Sequence, residues 1–235
     1  LHTITGDGTV ILPEPPAGTK LEVAAGSGAE LVIGGGADSG IVIGAGGSVQ
    51  ADANGKLEVG GSNIAINGIP EGTTVEIASG ATDVVISPDV DQSKISGDVS
   101  GVKIAVNWPA DFFGADAPAS AEQLVPAADR ATFGTGNDAV VNFTSDYTLY
   151  GTAAQASDAD AKTWLYVQNS MIRNGVFGGS LAGRVGTSNI YVQDSSISAV
   201  YGGGQSFQAL DGTFTGSTTG AANVYVSGGE IGEVF

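Results

Sequence analysis

Asn189 to Gly204, reading N-I-Y-V-Q-D-S-S-I-S-A-V-Y-G-G-G, is one copy of a unit that occurs three times in the last third of the chain. The earlier copy runs Leu165-Tyr166-Val167, Ile172, Val176-Phe177-Gly178-Gly179; the later one runs Val224-Tyr225-Val226, Ile231, Val234-Phe235. In each, six residues separate tyrosine from isoleucine and ten or eleven separate it from the second aromatic, while the copies follow one another at steps of 25 and 34 residues. A short β-branched run alternates its side chains, so Ile190 and Val192 share one face and Tyr191 takes the other. One such strand cannot bury its apolar face alone, whereas copies stacked in register form a parallel sheet with a continuous core. Glycines such as Gly202 to Gly204 then turn the corners. The extra residue in the first copy predicts a bulge, and the longer step before the third predicts a surface insertion.

Upstream the same grammar appears in shorter words. Leu21, Leu31, Ile41, Val49, Leu57, Ile64, Val75, Val85, Ile95 and Ile104 follow one another at seven to eleven residues, each in a triplet of the form apolar, variable, apolar. That is strand periodicity. Turn signals such as Gly34-Gly35-Gly36, Asn54-Gly55 and Asn67-Gly68 lie between the triplets. Two or three such strands make one coil of a parallel β-helix; an antiparallel sandwich has similar strand spacing and is the alternative. Trp108 to Asp129 breaks the rhythm, with Pro118, Pro126 and an alanine-rich stretch that predicts a loop and one short helix around Ala119 to Leu124. Strands are expected again at Ala139 to Phe143 and Tyr147 to Tyr150, then a polar loop over Thr152 to Lys162. The expected fold is therefore all-β: a single-stranded parallel β-helix (β-solenoid) with a loop or short-helix insertion near residues 108–130. Its sections are residues 1–107, the insertion or linker 108–130, and an aromatic, glycine-rich section 131–235 continuous with the first.

Composition narrows the function. Glycine is abundant at 38 of 235 residues, but without a G-X-Y period and with 42% apolar residues the chain is neither collagen nor a disordered tail. A formal charge of −17 argues against nucleic acid or an anionic bilayer as partner. No run approaches the ~18 apolar residues of a membrane span. The start, Leu-His-Thr-Ile, is not a signal peptide. Leu1 is not an initiator residue, and Val234-Phe235 stops where the other copies continue into glycines. A fragment cut from a longer repeat array is therefore expected; a natural terminus that caps the stack is the alternative.

Little chemistry is written in the sequence. Without cysteine there are no disulfides or thiolate metal sites, and the one histidine, His2, cannot build a multi-histidine centre. Phe133 to Val140, F-G-T-G-N-D-A-V, comes close to one unit of a calcium-binding nonapeptide repeat, with Asp138 as a candidate ligand, but that motif needs stacked copies. Asp158 and Asp160, and Asp89 and Asp91, read as solvated loop charges or weak cation sites. No cofactor is called for. A polysaccharide lyase or glycosidase would need convergent carboxylates, and the former an arginine, for which only Arg130, Arg173 and Arg184 are available. The chain is expected not to be an enzyme. The binding candidates are the tyrosines. By parity Tyr166, Tyr191 and Tyr225 point outward in one ladder, and Phe177, Tyr201 and Phe235 form a second at the corner. Exposed, they suit sugar rings or a protein partner; otherwise they stabilise one another or lie under the insertion.

The pattern apolar-Tyr-Val, Ser or Gly, Ile, Val-aromatic-Gly-Gly-Gly resembles the glycine-rich repeats of large bacterial surface proteins. The triplets before Asn107 are similar to the passenger domains of autotransporter adhesins, which fold as right-handed parallel β-helices. That resemblance implies export to the bacterial cell surface and adhesion to a host glycan, an extracellular protein or a neighbouring cell, including self-association. It implies no membrane insertion of this segment and carries no catalytic residue. A structural spacer that projects another domain would share the same core pattern.

Overall fold

Each of the ten upstream triplets falls on a strand, and in most of them alternation buries the first and third residues while the middle one faces away; Ile95–Gly97 buries neither, and in Leu31–Ile33 all three are buried. A computed structural model describes residues 1–123, 131–133, 138–152, 157–208, 210–212 and 214–235. The chain is all-β and divides into two compact units, Leu1–Ala105 and Val106–Phe235.

The first unit contains β1 (His2–Ile4), β2 (Asp7–Leu12), β3 (Lys20–Val23), β4 (Gly28–Ile33), β5 (Ile41–Ile43), β6 (Gly47–Ala51), β7 (Lys56–Gly61), β8 (Ile64–Ile66), β9 (Thr74–Ile77), β10 (Val84–Ile86), β11 (Ile95–Gly97) and β12 (Lys103–Ala105). One sheet has the order β1-β3-β6-β7-β9-β11; the other six strands follow the order β2-β4-β5-β8-β10-β12. Successive strands alternate between the two sheets, except at β4–β5 and β6–β7. There the chain doubles back, so that β5 and β6 run against their neighbours while β1/β3, β2/β4, β7/β9, β8/β10, β9/β11 and β10/β12 are parallel.

Parallel pairing throughout was expected, and the reversed pair departs from it for a simple reason. A triplet presents the same two inward residues whichever way it is read, so Ile41/Ile43 and Val49/Ala51 fill the interior equally well backwards, at 2% exposure or less. The turn at Asn54-Gly55 supplies the reversal into β7. Gly55 sits at φ 78, and the Asp52 carboxylate accepts from the N–H groups of Asn54 at 2.7 Å and Lys56 at 2.9 Å. Burying each Val, Leu or Ile of this interior contributes about 1.5–3 kcal/mol.

The second unit holds a helical turn, α1 (Ala110–Phe113), then β13 (Ser120–Gln123), β14 (Ala131–Phe133), β15 (Asp138–Val141), β16 (Thr144–Ser145), β17 (Thr148–Tyr150), β18 (Ser157–Gln168), β19 (Met171–Phe177), β20 (Arg184–Tyr201), β21 (Phe207–Gln208), β22 (Phe214–Thr215) and β23 (Thr218–Val234). The three repeat copies stack in parallel, with Tyr166 opposite Tyr191 opposite Tyr225 and Ile172 opposite Ile197 opposite Ile231. Leu165, Val167, Ile172, Val176, Ile190, Val192, Ile197 and Val200 form one core with Ala139, Val141 and Leu149. The expected bulge lies in β19, where the register to β20 shifts between Ile172 and Gly175. The expected insertion is the antiparallel pair β21/β22, which accounts for the longer step to β23.

Two local expectations are corrected. The short helix lies at Ala110–Phe113, and Ser120–Gln123 is a strand, with Val106 N–H donating to Ala119 O at 2.9 Å just before it; Leu124 is outside the described residues. Pro109 opens the helix with its preset φ, Gly114 at φ 77 closes it, and Pro118 removes a donor from the alanine run. The polar stretch Thr152 to Lys162 becomes strand from Ser157 onward, with a register irregularity between Asp158 and Lys162.

Candidate functional site

Parity places the tyrosines as expected, opposite the buried Ile190 and Val192. The first ladder is continuous: ring centroids lie 5.0 Å apart for Tyr166 and Tyr191, and 5.6 Å for Tyr191 and Tyr225. Of the two outcomes open to them, exposed or lying under the insertion, the second holds for two of the three. Tyr166 is 3% and Tyr191 7% exposed, because the insertion's own rings lie over them, and only Tyr225 is half-buried. Trp108 sits 6.1 Å from Tyr166, 6.0 Å from Tyr191 and 5.2 Å from Trp164, and Phe112 lies 5.3 Å from Tyr225. Trp108 is itself anchored by its indole N–H to Pro118 O at 2.9 Å. Such a cap removes apolar ring area from water and holds the pairs in edge-to-face and tilted geometries worth about 0.5–1.5 kcal/mol each beyond burial. The hydroxyls of Tyr166 and Tyr191 both donate to Gln193 Oε1, at 2.6 and 3.3 Å, and burial, ahead of the neighbouring groups, pushes the Tyr191 phenol up.

The second ladder is longer than the sequence reading gave. Phe177, Tyr201 and Phe235 stack almost parallel, at 4.3 and 4.9 Å with interplanar angles of 5° and 6°, and Tyr150 extends the row 5.4 Å from Phe177. Tyr150 was missed, yet its signal is present: Leu149-Tyr150-Gly151 repeats the apolar-aromatic-glycine ending of the other copies. The glycine after each ring is a packing requirement, since a Cβ on Gly178 would come within 2.6 Å of Gly202 O and 2.9 Å of the Ser188 side chain. Tyr201 is half-buried and Phe235 is 65% exposed. Burial raises the Tyr150 phenol, which donates to Gln205 Oε1.

The remaining candidates do not converge. Asp91 caps the 3-10 turn Gln92–Lys94 by accepting from Ser93 N–H and Oγ–H, and Asp158 accepts from Asp160 N–H at 2.9 Å. Arg173 pairs with Asp146 at 2.6 Å. Of the nonapeptide-like stretch Phe133 to Val140, residues 134–137 lie outside the described residues, as does Arg130, while the candidate ligand Asp138 is the first residue of β15. Among the described residues no group of three or more His, Cys, Asp or Glu is placed to hold a metal ion, and no helix is long and apolar enough to cross a membrane. Comparison of the chain with protein-family models, with curated proteins and with solved structures finds no match.

Proposed function

We propose that this chain is a β-solenoid segment of an extracellular bacterial surface protein that adheres to a host or neighbouring-cell ligand through an extended face. The observation that supports it is the in-register stacking of one repeat across β18, β20 and β23, which lines Tyr166, Tyr191 and Tyr225 up in one row and Gln168, Gln193 and Ser227 in the next. A row of this kind offers a repeating surface to a glycan or an extracellular protein. The accessible aromatic members, Tyr225 and Tyr201, are assigned to contact, and Tyr166 and Tyr191 to holding the insertion down. A structural spacer is the second reading, favoured by the burial of those two rings under Trp108 and Phe113. The test is binding of the purified chain to glycan and extracellular-matrix arrays, with and without calcium, beside Tyr201→Ala/Tyr225→Ala. Specific binding lost in the double variant supports adhesion. A blank array supports the spacer, and release of soluble sugar from an arrayed polysaccharide would place the chain among polysaccharide lyases or glycoside hydrolases.

A further inference from the structure

The two sheets of the first unit share an interior but differ on their outer faces. On the sheet of β3, β6, β7, β9 and β11 the outward residues are polar: Glu22, Ser48, Glu58, Glu76 and Ser96. On the other sheet they are apolar, and the register lines up half-buried Val42, Ala65 and Val85 as one row across β5, β8 and β10, continued on β4 by Val32, which is fully buried. Exposed Ile11 opens this row opposite Val32, and exposed Lys103 closes it opposite Val85. Beside it runs a second row, on β4 and at the adjoining ends of β5, β8 and β10. It consists of Glu30, Gly44, Asn63 and Asp83, linked by Gly44 N–H to Asn63 O at 2.8 Å and by Ile64 N–H to Asp83 O at 3.1 Å.

Together the rows form a trough of about 460 Å³ with an apolar floor and a polar wall. Gly44 leaves the wall open at its middle, and the Asn63 amide is turned back to Ala45 O at 2.7 Å. That leaves the carboxylates of Glu30 and Asp83 at its two ends, both exposed and neither in an ion pair among the described residues. Asp7, whose carboxylate lies over Gly28, adds a third on the same face.

We propose that this trough docks an extended, cationic segment of another protein: apolar residues on the floor, flanked by lysines or arginines that reach Glu30 and Asp83. Three strand steps separate those carboxylates, ~14 Å, which is the reach of about four extended residues. Charge selects this occupant. A second copy would bring the same three carboxylates and another −17 to the interface, where like charges oppose association. A sugar would lack a stacking platform, because all sixteen aromatic residues lie at or after Trp108.

The test uses the whole chain and a fluorescent, end-blocked pentapeptide, Lys-Val-Ser-Val-Lys, followed by anisotropy. Glu30→Gln/Asp83→Asn should weaken binding about tenfold, from two exposed ion pairs lost together. Val42→Thr/Val85→Thr should weaken it by a similar factor through the floor. Asn suits the φ of 52° at position 83 and Thr suits a strand, so thermal melts should stay close to the parent. Absence of binding, equal binding of Lys-Ser-Ser-Ser-Lys, or unchanged affinity in both double variants would each overturn the proposal. So would a dimer in sedimentation that Val42→Thr dissociates, which would give the face to a second copy. The variants lie in Leu1–Ala105 and the array variants in Val106–Phe235, so failure here is distinguishable from failure of the adhesin reading.

Discussion

The first unit holds its strands together without a single aromatic ring, whereas the second carries all sixteen. Both use the same inward grammar of Val, Leu and Ile. What differs is the outward position. In the first unit it is polar on one sheet and aliphatic on the other; in the second it is aromatic, and the rings stack from strand to strand. Short aliphatic side chains impose little direction on their strands, and there the chain reverses through β5 and β6. Stacked rings fix the register at every rung, and β18, β20 and β23 are all parallel.

The largest effects should show where the units are alike. Leu57→Ala and Ile190→Ala each remove a side chain with no exposure, so each should lose about 2–5 kcal/mol in denaturant titration. A much smaller loss for Ile190→Ala would mean that the aromatic rows, not the aliphatic core, carry the second unit. Next comes Trp108→Ala, which has no counterpart upstream. It should lose about 3 kcal/mol, the low end for a tryptophan because this one is half-buried, and should open Tyr166 and Tyr191 to aqueous quenchers. Tyrosines that stay as protected as in the parent would show that another group covers them. Tyr201→Leu keeps apolar volume but breaks two stacked pairs, at about 0.5–1.5 kcal/mol each.

The smallest effects are on pH, and each unit carries both signs: Lys162 depresses Asp116 in the second unit and Glu76 raises Lys56 in the first. Asp52, Asp91 and Asp98 are held below 3.8, the first by backbone N–H groups and the others mainly by the hydroxyls of Ser93 and Ser100. A depressed carboxyl contributes stability above its unfolded value and loses it as pH falls through the folded one, so the first unit should weaken in acid. Asp98→Ala should flatten that acid limb in circular-dichroism titrations. In the second unit burial raises Tyr150 and Tyr191 above 10.0. Their contribution is complete below that value and is lost as pH rises through the folded pKa. Tyr150→Phe should therefore extend stability into alkali, and an unchanged alkaline limb would show that this phenol does not govern it.

Strand positions were legible because alternation is local: every triplet from Leu21 to Ile104 lies in a strand. Tyrosine parity and the three-copy register were legible for the same reason. Strand direction was not, since Ile41-Val42-Ile43 reads identically both ways. Cover by the insertion was one of two outcomes the tyrosines allowed, but the rings that supply it were not legible: Trp108 and Phe113 lie more than fifty residues upstream of Tyr166 and pack by tertiary contact alone. The trough escaped notice because the middle residue of each triplet was treated as variable. Sorted by sheet, those residues divide into Glu, Gln and Ser on one side and Val and Ala on the other.

Between β20 and β23 the chain spends 34 residues to advance one rung, against 25 for the rung before, and the Tyr191 to Tyr225 register is unaffected. The surplus leaves at one corner, as the β21/β22 pair, and returns to the same place. That corner is a site where length is decoupled from register, so foreign segments spliced between Gln205 and Ser217 should be carried as cargo on a scaffold that does not read them.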